Sequence, residues 1–422
     1  MRRLVILGAG TAGTMAAHRL RRALHRDRWE IVVVDPSGWH LYQPGLLFLP
    51  FGRIRARDLT RTVSSTLPRG VELVQASAER IEPVGQQVLL DDGRRLGYDY
   101  LLIATGTTPR PDQTPGMAEG MGRSVHEFFT LNGSLHLAAA LAGWTGGRIA
   151  VHVAEAPIKC PVAPLEMVFL LDAYLAERGL RGRTELTYVT PLSGAFTRPV
   201  ASRALGTMLD ERGISVETDF VVESIDPEAG TMTSFDDREV PFDLLITVPV
   251  NMGADVIGRS GLGDDLNYVP VHRGTLLSSA HDTIFAIGDA ADLPTSKAGS
   301  VAHFQVETLV ANLVEHVEGR PMVHEYDGHA NCFIESGRGR GLLIDFNYDT
   351  EPLPGTDPLP RLGPLTLLRE SRRNHWAKLA FRWVYWHLLL PGRWRPVPSR
   401  MSMVGKHRPP EPAPAGTTVP AG

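Results

Sequence analysis

A chain of 422 residues with 43% apolar and 21% charged residues has the make-up of a globular protein of two or three domains, not of a disordered segment. Its two cysteines exclude a disulfide-stapled secreted scaffold, and no apolar run reaches the ~18–20 residues of a membrane-crossing helix. The formal charge of −4 conceals a split, because residues 361–422 hold eleven Lys/Arg against two Glu; a basic end on an acidic body points to an anionic surface as partner.

Met-Arg-Arg runs directly into an apolar strand, Leu4–Leu7, which leaves no room for a signal peptide. The body is therefore expected on the cytoplasmic side, with any membrane contact made from one face. The strand ends in Gly8-Ala-Gly10-Thr-Ala-Gly13, and a helix is predicted over Thr14–Leu24. Gly8 suits the tight turn, Gly10 lets backbone approach a pyrophosphate, and Gly13 lets helix and strand pack closely. Asp35, closing the next strand Glu30–Val34, is placed to bind ribose hydroxyls. The arrangement predicts a dinucleotide site.

His40–Pro50 is an aromatic, proline-bearing loop suited to covering one side of the bound group, or simply to packing. Tyr100–Ile103 is a buried strand that enters the turn Ala104-Thr105-Gly106, and Thr283–Ile287 is another, ending in Gly288-Asp289. These three segments, in this order, resemble the flavoprotein reductases with two dinucleotide-binding domains. The resemblance implies FAD, with Asp289 on its ribityl chain. The predicted fold is α/β: two Rossmann-like dinucleotide-binding domains plus an amphipathic C-terminal membrane-surface segment. The FAD-binding domain takes residues 1–109 and 266–350, the second Rossmann-like domain 110–265, the amphipathic segment 361–408, and a disordered tail 409–422. Residues 53–106 are expected to alternate strands, turns and a helix. A helix from about Ser300 would point its N-terminal dipole at the flavin, with His303 and Gln305 beside it.

The second domain opens with strand Ile149–Val153, after which a nucleotide-binding unit needs glycines. Residues 154–160 read Ala-Glu-Ala-Pro-Ile-Lys-Cys instead, and the strand at 185–189 ends in Thr190-Pro191 with no carboxylate for a ribose. No second nucleotide is expected there. Cys160 follows Lys159 and precedes a helix over about Pro164–Glu177, and both the charge and the helix dipole favour its thiolate. The other thiol, Cys332, lies in a strand-like segment at 328–337; a strand at 341–348 and a Pro-rich break at 352–364 follow. Two unreactive buried cysteines would also satisfy these positions.

The C-terminal segment 365–390 places Trp376, Leu379, Ala380, Trp383, Val384 and His387 on one helical face, with Arg372, Lys378 and Arg382 largely off it. Four of the seven tryptophans, at 376, 383, 386 and 394, fall in this region. That is the composition of a helix lying in the headgroup plane.

Pro157–Glu166, with Cys332-Phe-Ile-Glu335 and the flavin segments, resembles the sulfide:quinone oxidoreductases from Leu4 to about Lys406. That resemblance implies a flavoprotein held on one face of the membrane, its partners sulfide and quinone, with no nucleic acid and with homo-oligomerisation left open. It implies a redox pair in which Cys160 holds the persulfide and Cys332 faces the flavin. Glu166 becomes a proton acceptor, Phe333 a wall of the quinone pocket, and Lys406 a residue of its mouth. Residues 1–159 contain no cysteine, so FAD is expected to be non-covalent and the third cysteine of many members is missing. A family histidine also finds no match in Leu192–Arg198. The rival readings are a type II NADH:quinone dehydrogenase-like flavoprotein and a non-catalytic flavin redox sensor.

Overall fold

The computed structural model describes residues 1–359, 363–393 and 398–408, so Trp394 and the expected disordered tail 409–422 lie outside the described residues. The first sheet is parallel throughout, in the order Ile284–Ala286, Tyr100–Ile103, Arg2–Leu7, Trp29–Val34 and Glu72–Val74. Leu4, Val5, Ile6, Leu7, Leu101, Leu102 and Ile103 are essentially inaccessible, as strands covered on both faces require. Arg2–Leu7 has partners on both sides, so the crevice at its C-terminal end is the switch point where such sheets bind ligands.

The turn leaving that strand shows why glycines stand there. Gly8 has φ +100°, and a Cβ on it would lie 2.5 Å from the Ala104 carbonyl oxygen. A Cβ on Gly13 would fall 1.9 Å from the Gly8 carbonyl oxygen, where the helix Thr11–Ala23 crosses its own strand. That helix packs along the long helix Gly299–Val317, and together they cover one face of the sheet.

A second parallel sheet repeats the plan with Val125–His126, Leu244–Val248, Gly147–Val153, Thr184–Val189 and Ser215–Glu217. Gly147–Val153 is its central strand, and the loop to helix Ala163–Glu177 carries Cys160. Both halves of the expected α/β fold are present. Residues 53–106 alternate strands, turns and one short helix, Val63–Thr66, as expected, and a three-stranded meander, Ala78–Glu82, Gln87–Leu90 and Arg95–Gly97, dominates them.

The C-terminal third departs most from expectation. Ala330–Gly337 and Arg340–Phe346, assigned above to the flavin half, instead build a separate four-stranded sheet with Gly363–Leu367 and Gly355–Leu359. The expected Pro-rich break at 352–364 thus supplies the strand Gly355–Leu359 and the start of its antiparallel partner, Gly363–Leu367. The C-terminal helix begins only at Arg372 and runs to Val384, capped by the Ser371 side chain, which accepts from the Asn374 N–H. A π-type turn, Tyr385–Leu389, follows. Among the described residues, no helix is long and apolar enough to cross a membrane.

Candidate active site

One cavity of about 340 Å³ joins the three parts of the chain. Gly8, Gly10, Asp35, Ala104, Thr105, Gly106, Gly288 and Asp289 line it from the first sheet, Cys160 and Glu166 from the second unit, and Cys332 and Phe333 from the third. The aromatic loop after Asp35 contributes Tyr42 and Leu46–Phe48 to the same wall. Gly13, His303, Gln305 and Lys406, also named from the sequence, do not line it. Gly13 lies against Gly8 behind the turn. His303 faces Arg19 and Phe304 away from the cavity, where burial holds its imidazole down at about 4 and its Nδ1 makes no hydrogen bond. Gln305 supports the site from outside, its Oε1 accepting the Gly288 N–H at 2.6 Å.

The first-sheet end fits a dinucleotide. A Cβ on Gly10 would meet nothing within 4 Å, so backbone there is open to close approach. Asp35 is held by the Ala9 N–H at 2.6 Å and the Ser37 N–H at 2.8 Å, while burial raises its carboxyl above the usual range. The hydroxyls of Thr105 and Thr107 are buried, border the cavity and have no hydrogen-bond partner in the protein. Buried polar atoms left in this way point to a bound polar group.

Cys160 is fixed by its backbone. It has φ +52°, its N–H donates to the Lys297 carbonyl at 2.6 Å, and its carbonyl accepts the Ala163 N–H at 2.8 Å. A non-glycine residue in the left-handed region is the kind of strain found at functional sites. Lys297 completes the clamp by donating from Nζ to the carbonyls of Asp289 and Ala291, both at 2.9 Å. The thiol-bearing loop is thereby tied to the Gly288-Asp289 turn.

The expected low-pKa thiol is corrected here: burial pushes the Cys160 thiol up, outweighing the neighbouring charges. Among those opposing the shift, Lys378 is the largest, ahead of the Ala163 N–H at the helix start and of Lys159. Cys332 is pushed up as well, by burial first and then by the charges of Cys160 and Asp345. Both cysteines are free thiols.

Lys378 is what the sequence pattern misplaced. Grouped above with the basic side of a surface helix, it turns inward, lines the cavity, pairs with Glu166 and donates to the Phe333 carbonyl at 3.1 Å. Burial lowers its ammonium to about 7, a shift the Cys160 charge opposes. Glu166 is accordingly one half of a buried ion pair, and its Oε1 also accepts the Glu335 N–H at 2.6 Å. Lys406 does not border the cavity: it pairs with Asp345, which also accepts from His329 at 2.8 Å. The helix face read as apolar does look outward, with Trp376 67%, Leu379 42% and Trp383 60% exposed. Tyr385 and Trp386 do not join it; they are buried, and the Tyr385 hydroxyl bonds His40 at 2.6 Å and Thr11 at 2.8 Å.

The family described as pyridine nucleotide-disulphide oxidoreductase matches residues 2–311. The sequence is similar to the mitochondrial sulfide:quinone oxidoreductase of Dictyostelium discoideum, 29% identical over 93% of this chain and 86% of that protein. It is also similar to the mitochondrial sulfide:quinone oxidoreductase of Mus musculus, 26% identical over 93% of this chain and 87% of the relative. Among solved structures, the sulfide:quinone oxidoreductase of Aquifex aeolicus superposes with a TM-score of 0.77 at 20% identity, covering 91% of each chain.

Proposed function

The chain belongs to the pyridine nucleotide-disulphide oxidoreductase family, and we propose that it oxidises sulfide to sulfane sulfur and passes the electrons through FAD to a membrane quinone. The observation that supports this reading is that Cys160 and Cys332 both border the cavity that the dinucleotide turns border. Gly8, Gly10, Asp35, Thr105 and Asp289 would hold FAD, without a covalent bond because residues 1–159 contain no cysteine. FAD, when bound, accepts two electrons from the thiols and gives them to quinone.

The protein's own residues perform the sulfur chemistry. In the oxidised state, with the two cysteines joined as a disulfide, hydrosulfide attacks that bond at Cys160, leaving a persulfide on Cys160 and a thiolate on Cys332. A second hydrosulfide takes the outer sulfur of the persulfide, leaving as the hydrodisulfide anion (HSS⁻) with one proton released, and frees the Cys160 thiolate. The two thiolates close the bridge again and release two electrons. Lys378 gives the Cys160 anion its largest electrostatic support, and Glu166 holds that ammonium in place.

The NADH-dependent alternative has less support, because the loop at 154–160 has no glycine and exposes the anionic Glu155. The sensor reading predicts no turnover. Mixing the flavin-loaded protein with sulfide and a short-chain quinone should give quinone reduction that requires both; no turnover under those conditions sinks the proposal. Membrane attachment from one face is assigned to Trp376, Leu379 and Trp383, flanked by exposed Arg372, Arg373 and Arg382. Changing these three apolar residues to Asp should end flotation with anionic vesicles while short-chain quinone reduction persists, since each buried side chain supplies ~1.5–3 kcal/mol. Unchanged flotation would put the contact elsewhere.

A further inference from the structure

Four of the nine residues 53–61 are arginines, against one acid, Asp58, and none of the nine lines the cavity. The segment leaves the aromatic loop just after Phe48 and is pinned by the buried side chains of Phe51 and Leu59, with one short turn, Ala56–Asp58, between them. Arg55, Arg57 and Arg61 are exposed. The Arg55 side chain stays 67% exposed even while it pairs with Asp58 at 2.9 Å. Arg53 is drawn aside to Glu177 at 3.3 Å.

Three interactions set this segment along one edge of the C-terminal helix. Burial raises the Glu335 carboxyl, and the cations that oppose the shift are His375, which holds it at 2.9 Å, and then Arg53. The Asp58 carboxyl is kept below its usual range by its bond to Arg55 first, with Arg382 among the cations that add to it. Arg61 stacks on Trp386, its Cζ 4.3 Å from the ring centroid. His375, Arg382 and Trp386 are spaced i, i+7 and i+11, one strip of the helix and the turn that continues it. Segment and helix therefore run side by side in the same direction. The strip borders the face on which Trp376, Leu379 and Trp383 are exposed.

We propose that Arg55, Arg57 and Arg61, with Arg382 of the helix beside them, form a binding surface for the headgroups of anionic phospholipids. The inference rests on the membrane contact assigned above to the tryptophan face and deepens it: that face supplies apolar burial, and the arginine edge supplies the preference for negative charge. A guanidinium offers a planar fork of donors that matches a phosphate. Arginines bordering exposed tryptophans match the layered chemistry of a bilayer surface, phosphate outside and acyl chain beneath. An acidic protein face would meet the charges and leave the tryptophans without an apolar layer. The segment is also continuous with the cavity wall, because Phe48 lines the cavity and lies 5.7 Å from the Lys378 ammonium. Headgroups held at this edge thus fix how the cavity wall sits at the leaflet that carries a lipid quinone.

The test measures partition of the flavin-loaded protein onto sedimented vesicles, made either of phosphatidylcholine alone or of equal parts phosphatidylcholine and phosphatidylglycerol. The wild type should prefer the anionic vesicles. Raising the salt from about 0.1 M to about 1 M should remove the preference, because the screening length shrinks from about 10 Å to about 3 Å. Arg55→Gln/Arg57→Gln should lose at least about tenfold in partition onto the anionic vesicles, since each basic residue at such a surface is worth roughly fivefold. Its partition onto neutral vesicles and its reduction of a short-chain quinone should match the wild type. An undiminished preference in this variant, an equal loss on both kinds of vesicle, or a wild type with no preference would overturn the headgroup surface and leave the membrane reading standing. A wild type that binds neither vesicle overturns both.

Discussion

Cys160→Ser should cut sulfide-driven flavin reduction by about 10³-fold or more, because a hydroxyl forms neither the bridge nor a persulfide and is a weak nucleophile at neutral pH. Cys332→Ser should do the same for a different reason: it removes the leaving sulfur that lets hydrosulfide attack at Cys160. Both side chains border the cavity, but only Cys160 has a lysine pair around it, Lys378 and Lys159. The two variants therefore separate in a second assay. Iodoacetamide should modify Cys160 in the reduced Cys332→Ser protein far faster than it modifies Cys332 in Cys160→Ser, since burial pushes the Cys332 thiol up with no cation opposing it. Full sulfide activity in either variant removes the two-cysteine mechanism.

Lys378→Met should be the most damaging change outside the cysteines. It leaves the Glu166 carboxylate buried beside the Glu335 N–H with no cation, and breaking a buried pair in this way costs roughly 3–5 kcal/mol. It also removes the largest opposing influence on the raised Cys160 thiol, so the thiolate fraction at neutral pH should drop and alkylation of Cys160 should slow. The double variant Lys378→Met/Glu166→Gln should recover much of the stability, as measured by urea denaturation, and none of the alkylation rate. The pH sign follows from the ammonium. Lys378 is charged below about 7 and neutral above it, so its help to the thiolate fades as pH rises through 7, while ionisation of the thiol itself is still increasing. Wild-type cysteine reactivity should therefore climb less steeply with pH than that of a lone thiol, and Lys378→Met should restore the ordinary slope.

What the sequence made legible follows from how local each requirement is. Gly8 is required by its own φ of +100° and Gly13 by the carbonyl of Gly8 five residues earlier, both local demands that only glycine meets, so the motif announced itself. The two thiols were equally visible as residue types, and the missing glycines at 154–160 marked the loop that carries one of them. The state of Cys160 was not legible. Lys159 and a helix start are written beside it, but burial and Lys378 come from elements over 200 residues apart or on other sheets. His303 was placed near the flavin because it lies in the first turns of its helix; the helix periodicity does not say which side meets the cavity, and it is the other side.

The C-terminal helix shows the same limit in sharper form. Its periodicity separates a tryptophan face from a face bearing Lys378, and the structure keeps that separation. The inward direction of Lys378 depends on Glu166 and Phe333, which no helical pattern can report. A single lysine set among His375, Ala377, Phe381 and Tyr385, on the face opposite the exposed tryptophans, is the signal that was available.

The central claim is that electrons reach the flavin through the thiols and not from a nicotinamide. An anaerobic titration of the flavin-loaded protein tests it most directly, following the oxidised flavin band first with NADH and then with sulfide. Bleaching by micromolar sulfide, with no change on adding NADH, is the predicted result; bleaching by NADH with none from sulfide would contradict it.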